Sequence, residues 1–197
     1  MYILQKNEIQ AASHQLAIAF ENYPIFEYIL PDIESRKIKI IHLFNFLLKL
    51  GILNGDVIAT SKNLEGISIW FNSNNMNLSL FDILRSGLIN LKIKLNKSEI
   101  NRLTDVGNNK KIIRNQKMNG EYYFLDLIGV HPYYHKKGFA TALINSKLNE
   151  IDIKRIPCYL ETSNNMNIAF YERFDFCVIH EYKLFGVNVY CMLRKVL

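Results

Sequence analysis

A pair of lysines and a glycine lie five residues after a run of mostly apolar residues near the middle of the chain. The run, Tyr122 to Val130, contains a single acid, Asp126, and has the composition of a mostly buried strand. Pro132 ends this strand, and from Phe139 onward apolar residues recur at helical spacing. Residues 136 to 138, Lys-Lys-Gly, therefore lie between a strand and the start of a helix.

This junction has the chemistry of an anion site. A helix start leaves backbone N–H groups without acceptors and carries the positive end of the helix dipole. Gly138 lets a ligand approach the backbone closely, and Lys136 and Lys137 add positive charge. The expected guest is a phosphate group. Neither common phosphate signature, GxxxxGK[ST] or GxGxxG, is present.

The chain is long enough for one sizeable core: it has 197 residues, 49% of them hydrophobic. We predict one domain over residues 1–197. No apolar run is long enough to span a membrane, and the first ten residues lack the pattern of a secretory signal. We therefore expect a cytoplasmic protein without membrane contact.

The cysteines and histidines do not indicate a metal site. Cys158, Cys177 and Cys191 are too far apart for paired zinc spacing, and the five histidines form no HxH or HExxH pattern. We interpret the three cysteines as reduced, small hydrophobic residues.

Positive charge is concentrated between residues 83 and 118, which contain nine basic residues and only two acidic ones, Glu99 and Asp105. A solvated helical surface explains this block, and attraction of a polyanionic cofactor or an acidic substrate is the functional alternative. Nucleic-acid binding is less favoured because no binding motif accompanies the charge.

The remaining elements follow from periodicity and turn residues. They are a strand and three helices, a hairpin over residues 56–72, a helical insert over about 77–117 with a polar, mobile end, the strand-turn-helix-strand unit, a short helix and a closing hairpin. This order predicts an α/β (α+β) fold: a mixed, mostly antiparallel, twisted sheet of about seven strands with helices on both faces.

Two segments resemble the GNAT N-acetyltransferase superfamily. Residues 135–141, HKKGFAT, are similar to its Gln/Arg-x-x-Gly-x-Gly/Ala motif, with His135 in place of Gln or Arg. Residues 160–163, LETS, and 167–176, NIAFYERFDF, resemble a second family segment, in which Asp175 stands where glycine is usual. The resemblance covers essentially the whole chain, and its helical lead and insert look most like the puromycin N-acetyltransferase branch.

The resemblance implies a GNAT-like fold and acetyl-CoA as co-substrate, without a metal. The backbone of the turn would bind the CoA pyrophosphate, Ile128 and Val130 would pair with the pantetheine arm, and Asn167 would hold that arm or a water. Gly129 would mark a strand bulge that opens a slot for the thioester, or else serve as a packing glycine. The implied cofactor-binding residues are Ile128, Gly129, Val130, His135, Lys136, Lys137, Gly138, Phe139, Ala140, Thr141 and Asn167.

The resemblance also suggests catalytic roles. Tyr171 aligns with the general acid that would protonate the leaving thiolate or stabilise it by a hydrogen bond. We predict Glu161, at the end of a strand, as the base that deprotonates the amine, with Asp126 as the second candidate.

The acceptor is not specified by any motif. We predict a primary amine of a small molecule and a monomeric or homodimeric enzyme. The alternatives are a protein or peptide N-acetyltransferase, which would need an open groove between the insert and the closing hairpin, and a non-catalytic acyl-CoA-binding module. Tyr23, Phe26, Trp70 and Tyr123 are aromatic candidates for lining the acceptor pocket.

Overall fold

One seven-stranded sheet organises the chain, as predicted. The computed structural model describes residues 1–76 and 79–196. The strands are β1 (Tyr2–Ile3), β2 (Asp56–Ala59), β3 (Gly66–Asn72), β4 (Tyr123–Val130), β5 (Cys158–Thr162), β6 (Cys177–Leu184) and β7 (Val187–Arg194). Their order across the sheet is β1-β2-β3-β4-β5-β7-β6.

The parallel pair β4 and β5 lies at the centre of this otherwise antiparallel sheet. The two strands are paired only from Tyr123 opposite Cys158 to Leu125 opposite Leu160. Beyond Leu125 they are no longer paired, although both continue. The remainder of β4 and the end of β5 therefore border a gap in the sheet.

Three helices precede β2, as the sequence predicted: α1 (Ile9–Phe20), α2 (Pro24–Ile29) and α3 (Ile33–Asn54). Asp32 is the N-cap of α3. Its side chain accepts hydrogen bonds from the backbone N–H groups of Glu34 and Ser35, which satisfies two of the free donors at a helix start.

The insert consists of three helices, α4 (Leu80–Arg85), α5 (Leu88–Lys94) and α6 (Lys97–Lys117). Residues 77 and 78, where the predicted insert begins, lie outside the described residues. The helix α6 ends at Lys117, where the predicted insert ends, and it includes the polar segment that we expected to be mobile. Asn96 and Glu99 form a reciprocal capping box at its start, with distances of 2.9 and 2.8 Å.

The sheet carries a core on each face. One contains α1, α3 and residues of the insert such as Leu91 and Val106, together with Phe124 of β4. The other contains α7 (Phe139–Lys154) and α8 (Ile168–Glu172), which pack through residues such as Leu143 and Tyr171. The predicted helices on both faces are confirmed.

Within the described part of the chain, no cluster of three or more His, Cys, Asp or Glu side chains could hold a metal ion. No helix among residues 1–76 and 79–196 has the length and apolarity to cross a membrane. All three cysteines are free. Cys158 and Cys191 are buried, as small hydrophobic residues usually are, whereas Cys177 is exposed on β6.

Candidate active site

The turn between β4 and α7 has the geometry expected of an anion site. Lys136 and Gly138 adopt positive φ angles of 60° and 85°, and α7 begins at Phe139, directly after the glycine. Its first helical hydrogen bond runs from the Ala142 N–H to the Gly138 carbonyl at 2.9 Å. The amides that precede Ala142 are therefore left without an intrahelical acceptor.

A cavity of about 860 Å³ opens over this turn, between the end of β4 and α8. Nine of the eleven residues predicted to bind the cofactor line it. They are Ile128, Val130, His135, Lys136, Gly138, Phe139, Ala140, Thr141 and Asn167. Arg173, which the sequence analysis did not assign, adds a second cation to the lining.

The two remaining residues have different surroundings. Lys137 does not line the cavity; its ammonium lies 4.4 Å from the centre of the Tyr133 ring, where a cation interacts favourably with the π face. Gly129 packs against α1. A Cβ built there would lie 2.6 Å from the Phe20 ring and 2.8 Å from Leu16, so its packing role is the one observed.

His135 lines the cavity, but its side chain is turned back towards the strand. Its Nε2 lies 2.9 Å from the Val130 carbonyl oxygen. The imidazole therefore ties the turn to the end of β4, which holds the neighbouring amides in place. This contact explains how the loop is ordered with histidine in the position where the family motif has Gln or Arg.

We expected a bulge in β4 at Gly129, but the bulge lies at Asp126. Ile69 of β3 pairs with Leu127, whereas the next residue, Trp70, pairs with Leu125. Asp126 therefore has no partner on β3. A bulge bends its strand and redirects side chains, and this one lies next to the last residue of β4 that pairs with β5.

The Asp126 side chain borders a slot of about 70 Å³ where β4 and β5 separate. Phe20, Tyr23 and Phe26 form one wall of the slot. Ile128, Asn167 and Tyr171 line both the slot and the larger cavity, so the two spaces meet at these three side chains.

Asn167 belongs to a hydrogen-bond network at this junction. Its Nδ2 donates to Thr162 Oγ1 at 3.2 Å, and the Tyr23 hydroxyl lies 2.9 Å from the same oxygen. The Ser163 N–H donates to the Tyr23 hydroxyl at 3.0 Å. Asn167 makes no side-chain cap, whereas Asn164 caps the short helical turn before α8. Because Tyr23 directly precedes α2, its hydrogen bonds to Thr162 and Ser163 hold the start of α2 against the end of β5.

Glu161 lies at the slot with its charge already paired. Its side chain is 1% exposed, and it lies 3.5 Å from Lys110 Nζ and 3.7 Å from an Arg114 guanidinium nitrogen, both on α6. The Tyr159 hydroxyl donates to its Oε1 at 3.0 Å. Arg114 also lies over the Phe124 ring, 4.3 Å from its centre. These contacts hold α6 against the sheet.

Asp126 makes no ion pair within 4 Å among the described residues, although solvent reaches it. The protein packed around the carboxylate limits its hydration, which raises the pKa of Asp126 above its ordinary value. Nearby Lys110 and Arg114 lower the pKa, and Glu161 raises it further. A carboxylate whose pKa is raised is a stronger base than an ordinary aspartate.

Tyr171 is 6% exposed and lies on α8 beneath the junction of the two spaces. Burial raises the pKa of its hydroxyl, with a smaller contribution from Tyr23. The phenol therefore stays protonated at neutral pH and can serve as a hydrogen-bond donor.

The other aromatic candidates divide into two groups. Tyr23 and Phe26 line the slot, as predicted. Trp70 is completely buried, and its Nε1 donates to Ser68 Oγ at 2.9 Å. Tyr123 lies at the opposite end of β4, where its hydroxyl accepts from Lys154 at 2.9 Å. Trp70 and Tyr123 are therefore not part of this site.

Lys110 and Arg114 were recognised only as members of the basic block. Their charge and their i, i+4 spacing were visible in the sequence, but the contact with Glu161 depends on how the insert folds over β5. Asp175, where the family has glycine, has a φ of 63°. The backbone conformation that favours glycine is thus retained, and aspartate is among the residues that tolerate it.

Comparison with known proteins places this geometry in context. The model of the acetyltransferase (GNAT) family matches residues 107–176, which include the turn, α8 and the part of the slot formed by α6, β4 and β5. An uncharacterized N-acetyltransferase of Schizosaccharomyces pombe is 27% identical over 179 residues, which cover 88% of this chain and 72% of the relative.

Two solved structures share the fold across the whole chain. The histone acetyltransferase HPA2 and related acetyltransferase from Corynebacterium glutamicum has a TM-score of 0.71 at 15% identity, with 100% of this chain and 95% of that chain covered. Arylalkylamine N-acetyltransferase 2 from Aedes aegypti has a TM-score of 0.61 at 10% identity, with coverages of 100% and 98%. The chain is thus similar to GNAT acetyltransferases over residues 107–176 and shares their fold, and these similarities support its identity as an acyltransferase.

Proposed function

We propose that this protein transfers the acetyl group of acetyl-CoA directly to a primary amine of a small molecule. The observation that carries the proposal is the meeting of two spaces at Ile128, Asn167 and Tyr171. The larger space has a helix start and cations suited to the CoA phosphates. The smaller one brings a basic carboxylate close to the same point.

In the proposed complex, the pyrophosphate lies against the amides of residues 136–141, with Lys136 as a further cation. The pantetheine arm extends along Ile128 and Val130, and the thioester lies at the entrance of the slot. Asn167, held by Thr162 at 3.2 Å, retains its amide oxygen as an acceptor for the arm.

We assign the base to Asp126 in preference to Glu161. The charge of Glu161 is shared by Lys110 and Arg114, and its side chain is almost completely buried. Asp126 lines the slot without an ion pair within 4 Å among the described residues. It would accept the proton of the substrate ammonium, and the freed amine would attack the thioester carbonyl. The nitrogen, positively charged after the attack, would release its second proton to solvent as the amide forms.

Tyr171 would act on the leaving group. When the C–S bond breaks, the sulfur becomes a thiolate, whose reference pKa is about 8.5. Full proton transfer from Tyr171 is unfavourable because burial raises the pKa of the phenol. We therefore propose that Tyr171 stabilises the thiolate by a hydrogen bond, and that CoA takes its proton from solvent after release.

A small acceptor is favoured by the contact between α2 and the closing hairpin. Tyr28 stacks on Phe185 in the β6–β7 turn with a centroid distance of 4.7 Å, and Arg102 of α6 lies 5.5 Å from the Tyr28 ring centre. This stack bridges the gap that a peptide would need between the insert and the hairpin.

One observation favours the alternative of a protein or peptide acceptor. A second cavity of about 350 Å³ lies between Pro24, residues 163–165 and the β6–β7 turn. It is lined by amide side chains, including Asn164 and Asn188, which could bond a peptide backbone. Acetylation of a set of peptides with no turnover of any small amine would select this alternative.

The helical lead before β2 and the three-helix insert support the proposed branch resembling puromycin N-acetyltransferase. We further propose that the chain forms one acetyltransferase domain, active as a monomer or a homodimer in the cytoplasm.

Binding of acetyl-CoA tests the donor half of the proposal. Calorimetry should show binding at micromolar ligand, and Ala140→Glu should weaken it at least tenfold because a carboxylate would then face the phosphates. Asn145→Glu makes the same charge change at an exposed position of α7 and should bind like the wild type. Absence of heat at high micromolar acetyl-CoA would end the enzyme proposal.

Tyr171→Phe tests the leaving-group role. We expect kcat to fall about 10²-fold with little change in acetyl-CoA affinity, because the lost hydrogen bond forms only as the thiolate develops. Tyr2→Phe is the control, since that hydroxyl bonds to Glu8 near the far edge of the sheet. Unchanged turnover of Tyr171→Phe, followed as released CoA thiol, would remove Tyr171 from the mechanism.

A further inference from the structure

The slot beside Asp126 has a wall that the family motifs do not encode. Lys110, from the insert helix α6, lines the slot together with the aromatic side chains of the N-terminal helices. Its side chain is 24% exposed, and its ammonium is held 3.5 Å from Glu161. Lys110 is therefore a partly buried and tethered cation that faces the proposed path of the acceptor.

The aromatic wall of the slot is rigid. Phe20 packs edge-on against Tyr23 and Phe26, with centroid distances of 5.2 and 5.6 Å. The Tyr23 hydroxyl is fixed by Thr162 and Ser163. Because these rings are held by one another and by hydrogen bonds, the slot cannot widen on this side without loss of packing.

The volume between the walls is small. A water molecule needs about 10–15 Å³ when volume is measured in this way, so about 70 Å³ corresponds to about five waters. An amine nitrogen followed by a straight methylene stem fits such a space. A substituent on the carbon next to the nitrogen would contact the aromatic wall or the Lys110 stem.

Charge further restricts which amines can enter the slot. Its immediate surroundings contain two cations, Lys110 and Arg114, and two carboxylates, Glu161 and Asp126. Glu161 faces both cations, so Asp126 remains as the partner of one incoming ammonium. A second ammonium on the same short acceptor would meet Lys110 with no free carboxylate beside it, and like charges brought together in a partly dry site repel strongly.

We propose that Lys110 determines acceptor specificity, so that the slot admits unbranched primary monoamines and excludes both α-branched amines and short diamines. This inference rests on the proposed amine acetyltransferase function and deepens it. The aliphatic stem of Lys110 excludes the branch, and its ammonium excludes the second positive charge. Glu161 is then a positioning residue that holds the Lys110 side chain against the slot.

Three four-carbon amines test the proposal with acetyl-CoA as donor: butylamine, sec-butylamine and 1,4-diaminobutane. For the wild type, kcat/KM should be at least tenfold higher for butylamine than for either of the others. This is the range in which one methylene group changes discrimination in a tight pocket, about 10–200-fold.

Two substitutions separate the roles of size and charge. Lys110→Met keeps the stem and removes the charge, so the preference for butylamine over the diamine should fall at least fivefold while sec-butylamine stays excluded. Lys110→Ala removes the stem and the charge, so the preferences for butylamine over the diamine and over sec-butylamine should both fall. Lys111→Ala, at the adjacent exposed position of α6, should retain both preferences.

Each other outcome overturns the proposal. Equal turnover of butylamine and sec-butylamine by the wild type, unchanged ratios in Lys110→Ala, or altered ratios in Lys111→Ala would each do so. If Lys110→Ala does not fold, the wild-type ratios and Lys110→Met decide. Acetyl-CoA binding without turnover of any of the three amines overturns this inference alone, whereas failure to bind acetyl-CoA overturns the proposed function.

Discussion

Asp126 and Glu161 show how two carboxylates one strand apart acquire different chemistry. Both border the slot, but Glu161 is paired with two cations from α6, whereas Asp126 projects from a bulge. The sequence identified both as candidate bases and ranked Glu161 first. The reversed ranking that we propose depends on a contact between the insert and β5 that no local pattern encodes.

The acidic limb of the pH profile tests the assignment of Asp126. Because the pKa of Asp126 is raised, kcat/KM should fall at a pH above the ordinary aspartate range as the carboxylate takes up a proton. Lys110 lowers this pKa, so Lys110→Met should move the limb to higher pH. Lys111→Met is the control, and its limb should coincide with that of the wild type.

Substitution then separates the two carboxylates. Asp126→Asn should lower kcat/KM by about 10²-fold or more at neutral pH, the range typical of a lost general base. If the fall of kcat/KM at acidic pH persists in Asp126→Asn and disappears in Glu161→Gln, the base is Glu161, as the sequence first suggested.

At the scale of elements, the strand-turn-helix unit was predictable because its signals are local. The apolar run, the glycine and the helical spacing predicted β4, the turn and α7, and each is present. The limits of the insert were predicted, but local signals gave weaker support for a regular helix in the polar end of α6. Its Asn- and Lys-rich composition resembles a loop, and its helix is supported by the capping box at Asn96 and by the ion pairs to Glu161.

The position of the bulge was missed for a related reason. A glycine inside a strand often marks a bulge, and this favoured Gly129. Register is set by the residues opposite, however, and these place the bulge at Asp126. Gly129 is instead needed because α1 crosses β4 at this point, where Phe20 and Leu16 leave no room for a Cβ.

Gly129→Ala tests this close approach. We expect it to destabilise the protein by about 1–3 kcal/mol, the usual cost of extra volume in a packed core. It should also lower kcat, because Phe20 belongs to both the contact and the slot wall. The measurements are denaturant unfolding and steady-state kinetics.

Gly107→Ala is the matched control. A Cβ at Gly107 has nothing within 4 Å, and alanine is favoured over glycine inside a helix by about 1 kcal/mol. This variant should therefore be slightly more stable than the wild type. A Gly129→Ala protein as stable as Gly107→Ala would contradict the packing role.

At the scale of the molecule, the insert and the N-terminal helices share one core with the sheet. Val106 of α6 and Leu91 of α5 belong to the same buried cluster as Leu43 of α3 and Phe124 of β4. The ion pair between Lys39 of α3 and Glu99 of α6, at 2.7 Å, joins the same elements, and Glu99 is almost completely buried. The slot therefore has walls from three parts of the chain that are distant in sequence.

This sharing predicts that the chain unfolds as one cooperative unit, insert included. Calorimetry should show a single transition with equal calorimetric and van't Hoff enthalpies. Val106→Ala should lower the stability of that whole transition by about 1–3 kcal/mol, because it removes buried apolar volume from the common core. Asn115→Ala, at an exposed position of the same helix, should change it by less than about 0.5 kcal/mol.

If α4 to α6 formed an independent unit, Val106→Ala would split off or shift a minor transition and leave the main one in place. Acetylation would then survive at temperatures where the insert had melted, a result that would also remove Lys110 from the wall of the acceptor slot.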